Sequence, residues 1–141
     1  MIDIGCKLAL LTAALVERRL SIVYFHRVPA TPDPLLPGEP DCARFRARVR
    51  WLREGFHVLP LVEAVRRLYA GTLPPRALAI TFDDGYRDNV TNALPILTEL
   101  DVPATFFVTT RYLDGGMMWN DRVIEALRAW PDDDIDLRPY G

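Results

Sequence analysis

Hydrophobic positions along the chain follow two alternating periods. Four short apolar runs, rich in β-branched and aromatic residues, predict buried strands. They are residues 21–26, 56–59, 77–82 and 104–109. Four longer segments, with apolar side chains three and four residues apart, predict helices. They are residues 41–54, 61–70, 88–100 and a last helix from Asn120. This alternation predicts an α/β fold in which helices cover a parallel sheet.

The predicted helices carry start and stop signals. The first is expected to end at Gly55. Its hydrophobic face consists of Phe45, Val49 and Leu52. The face predicted for the second helix consists of Val62, Val65 and Tyr69. Pro95 lies inside the third helix and is expected to bend it. Asn120 is expected to cap the last one.

Residues 1–20 are expected to form an N-terminal helix, and residues 21–141 to belong to one domain. The apolar run from Leu8 to Val16 has the length of a signal-peptide core. Only one basic residue, Lys7, precedes it, and no small-residue cleavage site follows. The run is also too short to span a bilayer. We interpret it as a packing or amphipathic helix, with export or anchoring as the alternative.

Composition narrows the partners and the compartment. The chain has 141 residues, enough for one domain with a core, and its net charge of -2 does not indicate a nucleic-acid partner. Its two cysteines, Cys6 and Cys42, do not form a disulfide framework and are interpreted as unpaired thiols. This is compatible with a reducing compartment. A cytoplasmic location is therefore favoured, with the cell envelope or secretion as alternatives.

The strand predicted at residues 77–82 runs directly into two acidic residues, Asp83 and Asp84, followed by Gly85. The carboxyl end of a parallel strand is where α/β proteins place their active sites. Adjacent carboxylates repel each other, so a buried pair needs a cation or a shared proton. A plain Asp-Gly turn is the alternative interpretation. The spacing of the acids fits neither a phosphatase aspartate motif nor a calcium loop.

The sequence around these aspartates resembles a known family. Residues 80–86 read Ile-Thr-Phe-Asp-Asp-Gly-Tyr and are followed by Asn89. This string is similar to the first motif of the polysaccharide deacetylases, also called the NodB-homology family or carbohydrate esterase family four. Residues 92–97 and 102–108 resemble the helix and strand that follow in that family. The resemblance centres on residues 77–113, so the chain resembles the N-terminal portion of such a domain.

The resemblance implies a distorted (β/α) barrel and a hydrolase that removes N- or O-acetyl groups from a polysaccharide or oligosaccharide. Asp83 matches the general base of the family and Asp84 matches a metal ligand. The implied cofactor is a divalent metal, zinc in the first place, with cobalt or another transition metal as alternatives. His26 follows the first predicted strand, so it is a candidate for the substrate pocket, with a structural role as the alternative.

The chain departs from the family pattern in its histidines. The family takes its other two metal ligands from a later motif with paired histidines, which this sequence lacks. The two histidines present, His26 and His57, both precede the aspartates, and His57 is expected to lie exposed on a strand. The ligand set is therefore incomplete, and we expect no significant deacetylase activity from the 141-residue chain.

Three hypotheses follow from the incomplete ligand set. The leading one places the remaining motifs beyond Gly141. The second is a non-catalytic remnant of the fold that binds glycan or a protein partner. The third is a site completed by a second chain.

Overall fold

The computed structural model describes residues 19–131 and Arg138. The chain divides into two compact units, Met1–Thr109 and Thr110–Gly141, and each is described by itself. Within the described part of the first unit, four strands form one parallel sheet. They are β1 (Leu20–Phe25), β2 (His57–Val58), β3 (Ala77–Phe82) and β4 (Thr105–Phe106).

Strand β3 is the centre of the sheet. β1 pairs with it over its full length, from Leu20 beside Ala77 to Phe25 beside Phe82. β2 pairs with the first two residues of β3, and β4 pairs with the last two. Because all pairs are parallel, β1, β3 and β4 end at the same edge of the sheet. The predicted parallel sheet is confirmed, and the residues that follow these three strands meet at this carboxyl edge.

Three α-helices belong to the first unit within the described residues. They are α1 (Cys42–Gly55), α2 (Leu61–Tyr69) and α3 (Leu94–Glu99). Asp41 caps α1, since its Oδ1 accepts a hydrogen bond from the backbone N of Arg44 at 2.8 Å. The predicted face of α1 is buried and the helix ends at Gly55, so both predictions are confirmed.

The main core lies between the sheet and the helices α1 and α3. Every residue of β3 is buried, as expected for a central parallel strand. Aromatic rings from four elements meet there, with Phe45 edge-on to Phe25 at 5.1 Å between ring centroids. Phe82 stacks on Phe106 at 4.8 Å. Through these contacts the rings connect α1 with the strands of the sheet. Burying a phenylalanine side chain stabilises a fold by about 1.5–3 kcal/mol, so the cluster is a main source of the stability of this core.

The predicted face of α2 is wrong. The buried residue of this helix is Ala64, which clusters with Leu73 and Ala77. Val62 and Tyr69 are 59% and 88% exposed. Ala64 and Ala77 both have small side chains, so the helix can approach the start of β3 closely on this side. Large apolar side chains therefore did not mark the packed face.

Pro95 is accommodated by a change of helix type. Residues Asn89–Ala93 form a π-helical turn, and α3 begins at Leu94, with Pro95 in its first turn. The π-type bonding reaches the residue before the proline, because the N–H of Leu94 donates to the carbonyl of Asn89, five residues earlier. The helix predicted over residues 88–100 is therefore present, since residues 87–99 are helical without a break, but it changes type at Asn89–Ala93.

The strand predicted over residues 104–109 is shorter than expected. Only Thr105 and Phe106 form β4, and the next residue, Phe107, donates its N–H to the carbonyl of Phe82 at 2.7 Å. Beyond Phe82 the neighbouring chain turns away, so residues 108 and 109 have no strand to pair with. They instead contact the turn that carries the two aspartates.

The second unit contains a 3-10 turn at Thr110–Tyr112 and the helix α4 (Trp119–Arg128). The N-cap of α4 is Met118, whose backbone is extended, and Asn120 lies in the first turn. The predicted capping role of Asn120 is therefore wrong. None of the residues of α4 is buried.

The predicted N-terminal helix over residues 1–20 lies outside the described residues, except for Arg19 and for Leu20, which belongs to β1. Cys6 also lies outside them, while Cys42 is a free thiol at the start of α1. Across residues 19–131, no helix combines the length and the apolar character needed to cross a membrane.

Candidate active site

The two aspartates stand at the carboxyl edge of the sheet. The backbone N–H of Asp83 donates to the carbonyl of Phe25 at 2.9 Å, which continues the pairing between β3 and β1 by one residue. Asp84 and Gly85 both have left-handed backbones, with φ of 72° and 71°. The turn away from the strand therefore begins at Asp84. The sequence had indicated a turn at Gly85, one residue later. Both carboxylates are partly exposed, so a solute can reach them.

The segment after β4 closes against this turn. The hydroxyl of Thr109 donates to Oδ1 of Asp84 at 3.3 Å, and the backbone N–H of Thr109 lies 3.4 Å from the carbonyl of Asp84. Threonine thus orients the carboxylate from the side of β4. The sequence placed Thr109 inside a strand, so its role was missed; its position just past the neighbouring parallel strand was the available signal.

His26 lies beside Asp83. The two residues follow Phe25 and Phe82, which are paired in register, so their backbones are neighbours at the edge. The His26 side chain is 41% exposed, and its Nδ1 lies 4.0 Å from Oε1 of Glu39. Its ring meets that of Tyr24 edge-on at 5.5 Å. The sequence-predicted pocket residue and the two aspartates are thus brought to one edge.

His57 lies at the other end of β3. It pairs with Ala77, five residues before Phe82. Its side chain is exposed and its Nδ1 lies 2.9 Å from the carbonyl of Pro75. The expectation of an exposed strand position is confirmed, and His57 is separated from the two aspartates by the length of the strand.

A polar network supports the chain after β1, and sequence reasoning missed most of it. Asp88 accepts from Nε of Arg27 at 3.0 Å and from the backbone N–H of Val28 at 3.2 Å. The Arg27 guanidinium also lies 4.7 Å above the ring of Tyr86. The three consecutive polar residues Arg87, Asp88 and Asn89, directly after the aspartate motif, were the available signal. This network ties the segment carrying His26 to the segment carrying the aspartates.

The described residues do not form a metal site by themselves. Among them, no three His, Cys, Asp or Glu side chains come close enough together to hold a metal ion. Asp84 fits the role of one ligand, because its carboxylate is partly exposed and already oriented by Thr109. A stable zinc site needs three or more protein ligands, so one carboxylate from this edge does not complete it.

A groove runs along β1 and ends at His26. Its volume is about 730 Å³. Its walls combine apolar side chains from β1 and α1 with polar groups, including Tyr24, His26, Glu39, Arg48 and Trp51. The groove therefore suits a ligand that has rings, which can stack on aromatic side chains, and polar substituents, which can form hydrogen bonds.

Comparison with known proteins finds similarity to one family. Residues 70–133 match the polysaccharide deacetylase family. This segment is similar to part of a polysaccharide deacetylase domain. The matched range includes both aspartates, Asp88 and Asn89 after them, and β4. The match extends beyond the motif region that the sequence alone singled out.

Two curated relatives show the same similarity. The chain is 32% identical over 92 residues to YxkH of Bacillus subtilis, a protein assigned to the polysaccharide deacetylases, and this covers 64% of the chain and 32% of YxkH. It is 32% identical over 71 residues to the poly-beta-1,6-N-acetyl-D-glucosamine N-deacetylase of Escherichia coli K12. That alignment covers 49% of the chain and 11% of the enzyme. The chain thus spans about a third or less of the relatives it matches.

A solved structure shows the fold. The chain superimposes on a de-N-acetylase from Aggregatibacter actinomycetemcomitans with a TM-score of 0.59 and 24% identity. The match covers 69% of this chain and 40% of that structure. The strands and helices described above are thus part of the (β/α) barrel of the polysaccharide deacetylase type, as the sequence predicted.

Proposed function

We propose that this chain provides the aspartate half of a metal-dependent site that hydrolyses acetyl groups on a glycan. One observation carries the proposal. Two adjacent, solvent-reachable carboxylates, Asp83 and Asp84, stand at the carboxyl edge of a parallel sheet inside the segment that matches the deacetylases. At such an edge a pair of acids can divide metal binding and proton transfer between them.

The two carboxylates take different roles. Asp84 is the metal ligand, because its left-handed backbone and the hydroxyl of Thr109 fix the direction of its carboxylate. Asp83 is the general base and accepts the proton of the attacking water. A divalent ion, zinc in the first place and cobalt or another transition metal as alternatives, supplies charge stabilisation and acidifies bound water when present.

The remaining metal ligands come from elsewhere in a complete site. The chain holds two histidines, and neither belongs to a paired motif after the aspartates. Since the chain covers 32% of YxkH and 40% of the de-N-acetylase, we place the missing donors in the part of the domain that it does not cover. On this proposal the 141-residue chain has no significant deacetylase activity.

The proposed substrate is an acetylated polysaccharide or oligosaccharide. The relative in Escherichia coli is named for a polymer of N-acetyl-D-glucosamine, which makes an N-acetyl amide the first linkage to test. His26 lines the substrate pocket on this proposal, because its backbone neighbours that of Asp83 and its ring is partly exposed. An O-acetyl ester is the alternative bond.

Metal binding tests the proposal on the chain itself. Millimolar Mn²⁺ is expected to broaden the amide signals of Asp84, Gly85 and Thr109 in NMR spectra. Asp84→Asn is expected to abolish this broadening. Asp101→Asn, at an exposed acid on another element, serves as the matched control and is expected to leave it unchanged. Broadening that persists in Asp84→Asn would remove the metal-ligand role.

Acetate release tests the incomplete site. The chain is incubated with an acetylated chito-oligosaccharide and added zinc or cobalt, and release is expected to stay at background. Robust turnover that Asp83→Asn abolishes would show that this chain holds a complete ligand set and would overturn that part of the proposal.

The groove along β1 favours a second candidate function, in which the chain binds glycan without cleaving it. The groove presents Tyr24 and Trp51 beside polar groups, and aromatic rings stack on sugars. Titration with the same oligosaccharide distinguishes the two functions. The binding role would be favoured if Trp51→Ala weakens oligosaccharide binding and Asp83→Asn leaves it intact. It also requires that no longer form of the protein releases acetate.

A further inference from the structure

The backbone that follows β1 is held by side chains instead of by a neighbouring strand. β1 ends at Phe25, and the next three residues are His26, Arg27 and Val28. The carbonyl of His26 accepts from Nδ2 of Asn89 at 2.8 Å. The N–H of Arg27 donates to Oε2 of Glu39 at 3.3 Å. The segment that carries His26 therefore depends on side chains for its backbone hydrogen bonds.

Val28 is held in the same way from both sides. Its N–H donates to Oδ1 of Asp88 at 3.2 Å, and its carbonyl accepts from Nδ2 of Asn92 at 2.8 Å. Asp88, Asn89 and Asn92 belong to the π-helical turn and the residue before it, which follow the aspartate motif directly. We name these three residues the exit clamp. One short segment thus carries the two aspartates and fixes the backbone next to them.

Asn89 is the central member of the exit clamp. It is 1% exposed, and its Nδ2 also lies 3.3 Å from Oδ1 of Asp88. Its own Oδ1 is buried without a hydrogen-bond partner. A buried acceptor that is left unpaired destabilises a fold, so an apolar residue would serve packing better at this position. We therefore explain the presence of asparagine at position 89 by the hydrogen bond that its Nδ2 donates to the carbonyl of His26.

We propose that Asn89 is a positioning residue that fixes His26 beside Asp83 through the exit clamp. This inference rests on the proposed function, because it assigns His26 to the substrate side of the same site. Without the bond from Asn89, the carbonyl of His26 loses its side-chain partner, and the residue is held only through its neighbours Phe25 and Arg27. The ring then loses its fixed position against Tyr24 and its fixed distance to the aspartates.

Histidine-selective NMR tests the proposal on the 141-residue chain. The protein has two histidines, so His57 at the far end of β3 is an internal reference. In Asn89→Ala, the NOE between the rings of His26 and Tyr24 is expected to weaken at least threefold. The signals of His57 are expected to stay unchanged. Thr91→Ala, an exposed position in the same turn, is the matched control and is expected to keep the NOE.

Added Mn²⁺ gives a second readout, the distance from His26 to the aspartate edge. In Asn89→Ala, broadening of the His26 ring is expected to change at least threefold, while broadening of the Gly85 amide stays within the error of the wild-type value. If Mn²⁺ does not broaden Gly85 in the wild type, the proposed metal role fails, and the NOE still decides the role of Asn89.

A folded Asn89→Ala variant with an unchanged His26–Tyr24 NOE would overturn the inference. If that variant does not fold, Asn92→Ala carries the same test. The side chain of Asn92 is less buried than that of Asn89. The substitution removes only the hydrogen bond from Asn92 to the carbonyl of Val28. In that variant the same threefold loss supports the exit clamp, and an unchanged NOE overturns it.

Discussion

Val108 lies against Gly85 so closely that a side chain at position 85 has no room. A Cβ atom there would lie 2.8 Å from Cγ1 of Val108 and 3.3 Å from its Cα. The backbone of Gly85 is also left-handed, with φ of 71°. The glycine therefore does two things in this fold. It lets the chain turn after the aspartates, and it lets the segment after β4 approach them.

Gly85→Ala is expected to lower the free energy of unfolding by about 2–3 kcal/mol. A left-handed backbone costs an L-residue about 1–2 kcal/mol, and overpacking adds about 1 kcal/mol or more. Urea denaturation of the two proteins measures the difference. Adding Val108→Ala is expected to relieve the contact but not the backbone strain, so part of the loss should persist.

The control for this experiment is Gly55→Ala, because no atom comes within 4 Å of a Cβ at Gly55. Gly55 is the last residue of α1, and alanine favours helix more than glycine does. This variant is expected to be as stable as the wild type or slightly more stable. An equal loss at both positions would contradict the role assigned to Gly85.

Thr109→Val is expected to weaken metal binding at Asp84. Valine has the shape of threonine but removes the hydroxyl that donates to Oδ1 of Asp84. Outer-shell partners of metal ligands typically change affinity 10- to 100-fold, and with one ligand present we expect about threefold. Titration with Mn²⁺ followed by NMR gives the apparent Kd. Thr109→Ser keeps the hydroxyl and should retain wild-type affinity.

The sequence predicted the centre of the fold because its signals there are local. The bounds of β3, predicted at residues 77–82, match the structure, and the buried face of α1 is as expected. Both depend on apolar side chains at the period of their element. The face of α2 was wrong because its packing depends on Ala64, and small residues carry little hydrophobic signal.

The candidate site was predictable only in part. A motif within one strand end placed Asp83 and Asp84 together, and the parallel topology then placed His26 next to them. Thr109 contacts Asp84, which is 25 positions away in the sequence, and Asn89 contacts His26, which is 63 positions away. Pairings of that kind depend on strand register and on the π-helical turn, which hydrophobic periodicity does not encode.

Asp41→Ala is expected to destabilise the first unit by about 1 kcal/mol, since it removes an N-cap. The side chain is 6% exposed and bonds the backbone N of Arg44 at 2.8 Å. Thermal and urea unfolding measure the loss. Asp41→Asn keeps an oxygen at the same place and should restore most of the stability; a loss as large as that of alanine would argue against a capping role.

Glu99 links α3 to α1 through Arg46. The hydrogen bond from the Arg46 side chain holds the pKa of Glu99 below its ordinary value, and the nearby charge of Arg50 acts in the same direction. A carboxyl whose pKa is lowered on folding adds stability at pH values above its unfolded pKa of about 4.3. That contribution is lost as the pH falls through the folded pKa.

Arg46→Gln is therefore expected to raise the pKa of Glu99 towards its ordinary value. A carbon-detected NMR titration of the carboxyl group measures the shift. The stability difference between wild type and variant should shrink as the pH drops below about 4. It should also shrink at high salt, because Glu99 is exposed and Arg46 is partly exposed. Arg53→Gln, elsewhere on α1, should leave the pKa of Glu99 in place.

Phe45 packs α1 against the aromatic residues of the sheet. It is fully buried, and its ring meets Phe25 at 5.1 Å and Phe82 at 5.7 Å between centroids. Phe45→Ala removes these contacts and leaves a cavity between helix and strands, so we expect a loss of about 3–5 kcal/mol. Phe45→Leu keeps most of the volume and is expected to lose about 1.5 kcal/mol.

Urea denaturation with a near-ultraviolet circular dichroism signal follows this core directly. Val62→Ala, at a position 59% exposed on α2, is the control and is expected to change stability by less than about 0.5 kcal/mol. The two expectations differ because Phe45 loses packing partners on several sides and Val62 has few to lose. A small loss for Phe45→Ala, comparable with that of Val62→Ala, would mean that α1 does not depend on this aromatic cluster.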